Sequence, residues 1–285
     1  MPTQFKGQSI LKNRILGLGV VAVALAASMV LGGSVSFAGA AQATAAATMA
    51  ATMSADQIAN TTLVRVVHAA SDAPNVDVYL DKGATPAIAN LAFDSATDGY
   101  LPIPSGDHQV TITAAGDPKT VVYDEKLTLP GGTALTIIAE GLLADKSFAI
   151  RITVDDVSAT NGKARIKVTH AISDGPDVDL STADFKTMLI TDLPYGYSQT
   201  ITADPGTYDL VVVPTGKQTP VVISLPGTKL DADQIYSVFA TGTLTGKAPV
   251  KPLLFITSPV PGFQPPAAAT PAATMAATMM ATASK

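Results

Sequence analysis

Along most of the chain apolar and polar positions alternate with a period of two, as in Val110 and Ile112 set between Gln109, Thr111 and Thr113. That is the pattern of half-buried strands. The first half yields the segments LVRVVHA, NVDVYL, PAIANLAF, HQVTITA, TVVYDEKL, ALTIIAE and FAIRIT. The second yields ARIKVTHA, PDVDL, TMLITDL, YSQTIT, TYDLVVV, PVVISL, IYSVFA and PLLFI. Pro, Gly, Asp or Asn clusters separate them, and neither half carries an i, i+3, i+4, i+7 pattern over three turns. Short strands of this density predict an all-β chain of two tandem antiparallel β-sandwiches, immunoglobulin-like or transthyretin-like. A short Greek-key barrel is the alternative.

The two halves are copies of one another. Aligning His68 with His170 sets RVVHAASDAPNVDV over KVTHAISDGPDVDL, with identity at Val66/Val168, Ser71/Ser173, Asp72/Asp174, Pro74/Pro176, Val76/Val178 and Asp77/Asp179. Two further blocks keep the order, residues 98–116 over 195–216 and residues 128–141 over 224–242. A tandem duplication predicts domains at 62–152 and 164–257, with the polar, turn-rich TVDDVSATNGK (153–163) as linker.

The flanks have a different character. Lys6, Lys12 and Arg14 precede the apolar run Ile15 to Leu31, and the small-x-small pair Ala38 and Ala40 follows. This predicts a signal peptide over 1–40, cleaved after Ala40, with a membrane anchor as the rival reading. Residues 41–61 and 258–285 are Ala/Thr/Met-rich and Pro/Ala/Thr-rich arms, and AATMAATM occurs in both, at 46–53 and 272–279. They are expected to be flexible, polar tethers, too poor in large apolar side chains to fold alone. The i, i+4 methionine pairs Met49/Met53 and Met275/Met279 raise Cu(I) binding as a second reading, and pairing of arms between molecules as a third.

Composition narrows the function classes. Cleavage would remove three basic and no acidic residues, leaving 15 basic against 23 acidic, a net charge of −8. That balance argues against nucleic acid, which needs a basic footprint. The chain has no cysteine, so the exported domains must be stable without disulfides.

The opening motif V-R-V-V-H-A-A-S-D-A-P-N-V-D-V-Y-L and the later P-G-T-Y-D-L-V-V-V-P-T-G (205–216) resemble a family of secreted bacterial and archaeal proteins catalogued as domain of unknown function 4397. Both copies fit. The second departs at Ser181, where the first has Tyr79, and lacks a counterpart of Asp81-Lys82-Gly83. The resemblance implies an extracytoplasmic β domain and no known reaction.

His68 and His170, each followed by Ser, Asp, Pro and Asp, are the most chemistry-like residues, the raw material of a triad or a metal site. No G-x-S-x-G element accompanies them, and the two occupy equivalent places in separate domains, each without a histidine partner. The residues of the motif (His68, Ser71, Asp72, Pro74, Asp77, His170, Ser173, Asp174, Pro176 and Asp179) are therefore read as a strand-turn-strand corner. Ser71 and Asp72 would hydrogen-bond N–H groups of their own turn, and Pro74 would fix its φ. His68 would donate to a backbone carbonyl or to Asp72. Alternation sends Asp77, like Asp179, to the polar face as a solvated carboxylate. Asp155 and Asp156 read as a solvated turn in preference to a calcium site. Adjacent Asp124 and Glu125 point to opposite strand faces and make no glycosidase pair. LPGTK (225–229) imitates a sorting signal but has Lys229 in its fifth place, so it is a turn. With no Trp, only Tyr100, Tyr195 and Tyr197 could offer sugar platforms.

The expectation is a non-enzymatic protein, secreted or on the cell surface, without cofactor or metal. It would serve in adhesion, scaffolding or self-assembly, with exposed sheet edges available for pairing between molecules. Its partners would be itself, other cell-surface proteins or glycans, with membrane contact only through an uncleaved signal segment. A glycan or small-ligand module using loops at one end of a sandwich is the alternative, and a hydrolase the remaining one.

Overall fold

A computed structural model describes residues 53–265. The signal segment, most of the first AATMAATM block and all of the second lie outside the described residues.

Each copy folds as two sheets. In the first, β2 (Val76–Leu80), β3 (Ile88–Leu91), β6 (Gly106–Ala114) and β7 (Asp117–Leu129) form an outer sheet in the order β3-β2-β6-β7. The inner sheet orders β4 (Ser95–Ala96), β1 (Thr61–His68), β8 (Thr133–Glu140) and β9 (Ala149–Asp155), with β5 (Leu101–Pro104) also pairing to β1. The second copy repeats this. Its outer sheet runs β12 (Met188–Leu193), β11 (Val178–Thr182), β14 (Gly206–Pro214), β15 (Ile223–Leu230). Its inner sheet runs β13 (Ser198–Ala203), β10 (Ala164–Ile172), β16 (Gln234–Gly242), β17 (Lys251–Thr257).

The outer sheets are antiparallel, in line with the expected sandwich. The inner sheets are not wholly so, because β1 pairs with β8, and β10 with β16, in parallel. Side-chain alternation is the same in both kinds of pairing, so the sequence pattern carries no strand direction.

Within each copy the two sheets enclose a core. Val64, Val66, Val78, Ile112, Leu135 and Ile137 belong to the first, and Ile166, Val168, Leu180, Val212, Tyr236 and Ala240 to the second. The other face of each inner sheet is buried as well, because the two inner sheets pack against each other. Leu63, Ala134 and Ile235 form one apolar patch there, and Val67, Ile138, Ala171 and Phe239 another. The duplication is thus a stack of four sheets with three buried layers, and both copies fall in one compact unit. Covered on both faces, β1 and β8 are buried almost throughout, their polar residues included.

The contacts also fix direction. The starts of β1, β8 and β16 meet in the first patch and their ends in the second, so the central strands β1, β8, β10 and β16 of the two inner sheets run the same way. The two copies are related by an approximate two-fold axis along the strands.

The flanks and the proposed linker differ from expectation. Residues 54–60 are not part of a loose arm: Ser54 caps a short helix, α1 (Ala55–Ala59), in a reciprocal capping box with Gln57. Met53 and Ile58 pack against Leu63 and its neighbours. At the other terminus Val260 and Phe263 are buried in the same patch, and the Gln264 N–H donates to the Gly132 carbonyl. Four isolated apolar residues, Met53, Ile58, Val260 and Phe263, suffice to fasten both flanks, which average composition conceals. Strand β9 runs through 153–155, and the following turn is held by Arg165 donating to the carbonyls of Asp156 and Ser158.

Candidate functional site

The repeated corner is built alike in both copies. His68 ends β1 and His170 lies two residues before the end of β10; both are fully buried, with Nε2 at 3.0 Å from the Pro74 carbonyl in one copy and 2.9 Å from the Pro176 carbonyl in the other. A carbonyl can only accept, so Nε2 carries the proton and Nδ1 does not. In the second copy Nδ1 accepts from the Ile172 N–H. Burial pushes both imidazoles below their ordinary pKa, against the opposing pull of the proline carbonyls. An aromatic ring meets each histidine edge-on, Phe93 for His68 and Tyr195 for His170. The ring ties the strand end to its own turn.

The aspartates do more than the local turn required. Asp72 does not cap its own turn, which is closed by the Ala73 N–H on the Ala70 carbonyl. Its carboxylate instead accepts from the N–H groups of Leu143 and Ala144, in the loop between β8 and β9. Asp174 does the same with Leu244 and Thr245. Ser71 makes no side-chain hydrogen bond among the described residues, and the Ser173 hydroxyl is buried without a partner there. Asp77 and Asp179 are buried, contrary to the solvated role expected of them. Asp77 accepts from the N–H groups of Asn90 and Gly116, and Asp179 from those of Asp192 and Gly216. Strand alternation placed them correctly off the core face but could not show the neighbouring loops folding over them.

Between the copies lies a charged cluster that local sequence reasoning missed. Arg65 on β1 donates to Thr136 within its own copy and to Ser237 of the other. Its guanidinium sits 4.8 Å from the Tyr100 ring centre, 5.2 Å from that of Phe255 and 5.6 Å from that of Phe239. Lys167, its counterpart on β10, spends its three donors on Thr153, the Val154 carbonyl and Asp155. Asp155 is therefore no solvated turn residue: it is buried, 2.7 Å from Lys167 and 3.5 Å from Arg65, and accepts from the Tyr100 hydroxyl. Burial disfavours its charge, but Lys167 and Arg65 overcome that and hold its pKa below the ordinary value. Lys167 is lowered because burial outweighs Asp155. One carboxylate thus serves two pseudo-equivalent cations. The available signal was that Arg65 and Lys167 open the aligned blocks, each a charge within an apolar strand.

Two polar contacts flank this cluster on the approximate two-fold. Asp94 of the first copy meets Lys251 and Thr241 of the second. Arg151 of the first copy binds buried Glu140 and lies against Gly196 of the second, where a side chain would collide with the guanidinium. Burial raises the Glu140 pKa against the pull of Arg151. Away from the interface, His108 is held by Asp81 at 2.7 Å and by the Pro104 carbonyl at 2.8 Å, and these raise its pKa despite burial. Among the described residues no three His, Cys, Asp or Glu side chains are grouped to hold a metal ion, and no helix is long and apolar enough to cross a membrane. Of the three tyrosines named for sugar stacking, Tyr100 is buried, Tyr195 largely so, and Tyr197 exposed.

A family model described as "Domain of unknown function (DUF4397)" matches residues 62–181 and again 164–262. No curated protein matches the chain. Among solved structures, the C-terminal domain of AlgF from P. aeruginosa is similar at 21% identity and a TM-score of 0.28, over 34% of this chain and 99% of that one. The Bacillus anthracis TIE protein aligns over 65% of this chain and 34% of its own at 10% identity and a TM-score of 0.20. A candidate cell adhesion protein from Bacteroides uniformis aligns over 70% of this chain and 98% of its own at 11% identity and a TM-score of 0.24.

Proposed function

The chain belongs to the DUF4397 family, with two copies of the domain in tandem, and we propose that it is a non-enzymatic structural module, exported to the cell surface, that works in adhesion or scaffolding. The observation that carries this reading is the burial of one copy against the other. Sheet faces, Arg65, Lys167 and Asp155 are all consumed in making one stiff body. The histidines that invite a catalytic reading are equally committed, each buried and bonded to its own corner. A stiff body with polar arms at both termini suits a presenting or spacing role. Glycan binding rests on one exposed ring, Tyr197, backed by Arg151 at 5.9 Å, which is less than a stacking shelf.

The test is antibody labelling of the producing cells with and without permeabilisation, together with attachment of a deletion strain. Labelling of intact cells and reduced attachment are expected. Labelling only after permeabilisation overturns the reading.

A further inference from the structure

The body has two unlike ends. The described chain both enters and leaves at the end where β1 and β8 begin, since Met53, Ile58 and Phe263 all pack beside Leu63. The opposite end, where β1, β8, β10 and β16 finish, carries both copies of the corner. It also carries the loops that Asp72 and Asp174 fasten. If the arms are tethers, this second end points away from the surface to which they lead.

Its chemistry is distinct. Of seven exposed large apolar side chains among the described residues, five lie at or within a few residues of this end: Val121, Leu143, Tyr197, Val221 and Leu244. Four of the five are two pairs produced by the duplication, Leu143 with Leu244 and Val121 with Val221. Both leucines sit on the fastened loops, so each tip is held in place. Lysines are distributed likewise. Of the eleven described, Lys126, Lys163, Lys167, Lys186, Lys229 and Lys251 form ion pairs. The remaining five make none, and all but Lys82 are at this end: Lys119, Lys146, Lys217 and Lys247. Exposed carboxylates stand among them, including Asp117, Asp145, Asp177 and Asp192.

We propose that this end is a self-complementary contact surface, and that its partner is the same end of a second copy of the chain. Apolar tips and unpaired cations beside carboxylates suit a surface of like composition. A polyanion or an anionic lipid layer would have to approach those carboxylates as well. The approximate two-fold supplies two equivalent leucine tips, so a facing copy engages both at once. Each tip is small, and the contact is correspondingly weak alone and strengthened by multiplicity on a surface. Two tethered layers facing one another would then adhere. This rests on the surface reading above and names its partner.

The test uses the mature chain tagged after Lys285 and held on beads through the tag. Sedimentation at rising concentration should show a reversible dimer, and the beads should cluster. L143D with L244D should abolish clustering and weaken dimerisation by at least ~10-fold for each leucine. M188D, an exposed apolar site elsewhere on the body, should change neither. Thermal melting of each variant reports folding; if the leucine pair fails to fold, K146E with K247E replaces it and should also abolish clustering. A monomer at every concentration, clustering that survives the tip variants, or binding only to vesicles with 30 mol% anionic lipid overturns the inference. Surface labelling and the attachment defect would persist in that case, so the two readings fail separately.

Discussion

Replacing Asp155 by Asn should be among the most damaging single changes in this protein. Asp155 supplies the one carboxylate between Arg65 and Lys167, and all three side chains are buried. Asparagine keeps the shape but leaves two cations facing each other without a counter-charge. Removing one member of a buried ionic group costs about 3–5 kcal/mol, because the charge left behind is uncompensated. For a unit of this size each kcal/mol lowers Tm by about 2–4 °C, so the expected fall is roughly 6–20 °C. Lys167→Met is the informative contrast. It leaves Arg65 and Asp155 as a balanced pair and forfeits hydrogen bonds to Thr153 and the Val154 carbonyl, a cost of about 1–3 kcal/mol. Calorimetry on both variants gives the comparison, and the D155N scan should also split into two transitions as the copies lose their shared layer. A loss below ~1 kcal/mol, or one smaller than that of K167M, would refute the argument that charge balance holds the copies together.

The remaining predictions concern the histidines, the loops and the interface glycine. An NMR titration should resolve three imidazoles, with His108 titrating above 6.5 and both His68 and His170 below it. Lowered pKa values mean that the unfolded chain binds more protons, so His68 and His170 withdraw stability as pH falls below 6.5. His108 has the opposite sign: its contribution is complete below 6.5 and is lost as pH rises through its folded pKa, and H108Q should remove that slope in pH-dependent melts. Asp72→Ala frees the amides of Leu143 and Ala144 and should speed their hydrogen exchange at least ~10-fold, with D174A acting likewise on Leu244 and Thr245; unchanged protection would contradict the fastening role. Gly196→Ala puts a methyl group into the Arg151 guanidinium at a position with φ of 79°, and should cost about 1–3 kcal/mol in chemical denaturation.

Much of the fold was legible because its signals are local. Strand alternation, the turn residues of the corner and the repeat itself require no partner to be recognised. His68 near a carbonyl of its own turn was readable for the same reason, with six residues separating it from Pro74. Asp72, Asp77 and Asp155 were misread because their partners lie on other loops, strands or the other copy. Asp72 reaches an amide 71 residues away. Arg65 reaches Ser237 across 172.

By itself, then, the sequence determined that the chain is β-structured, that it is duplicated, and that each copy opens with the same histidine corner. Only the tertiary structure decided that the copies pack inner sheet to inner sheet and that one carboxylate balances two cations. It also decided that the described chain enters and leaves at one end while the paired loops occupy the other. A period of two states which side chains share a face, and nothing about what that face will meet. Residues such as Leu63, Arg65 and Val67 alternate with the sandwich core and look like a solvent face until a second sheet covers them.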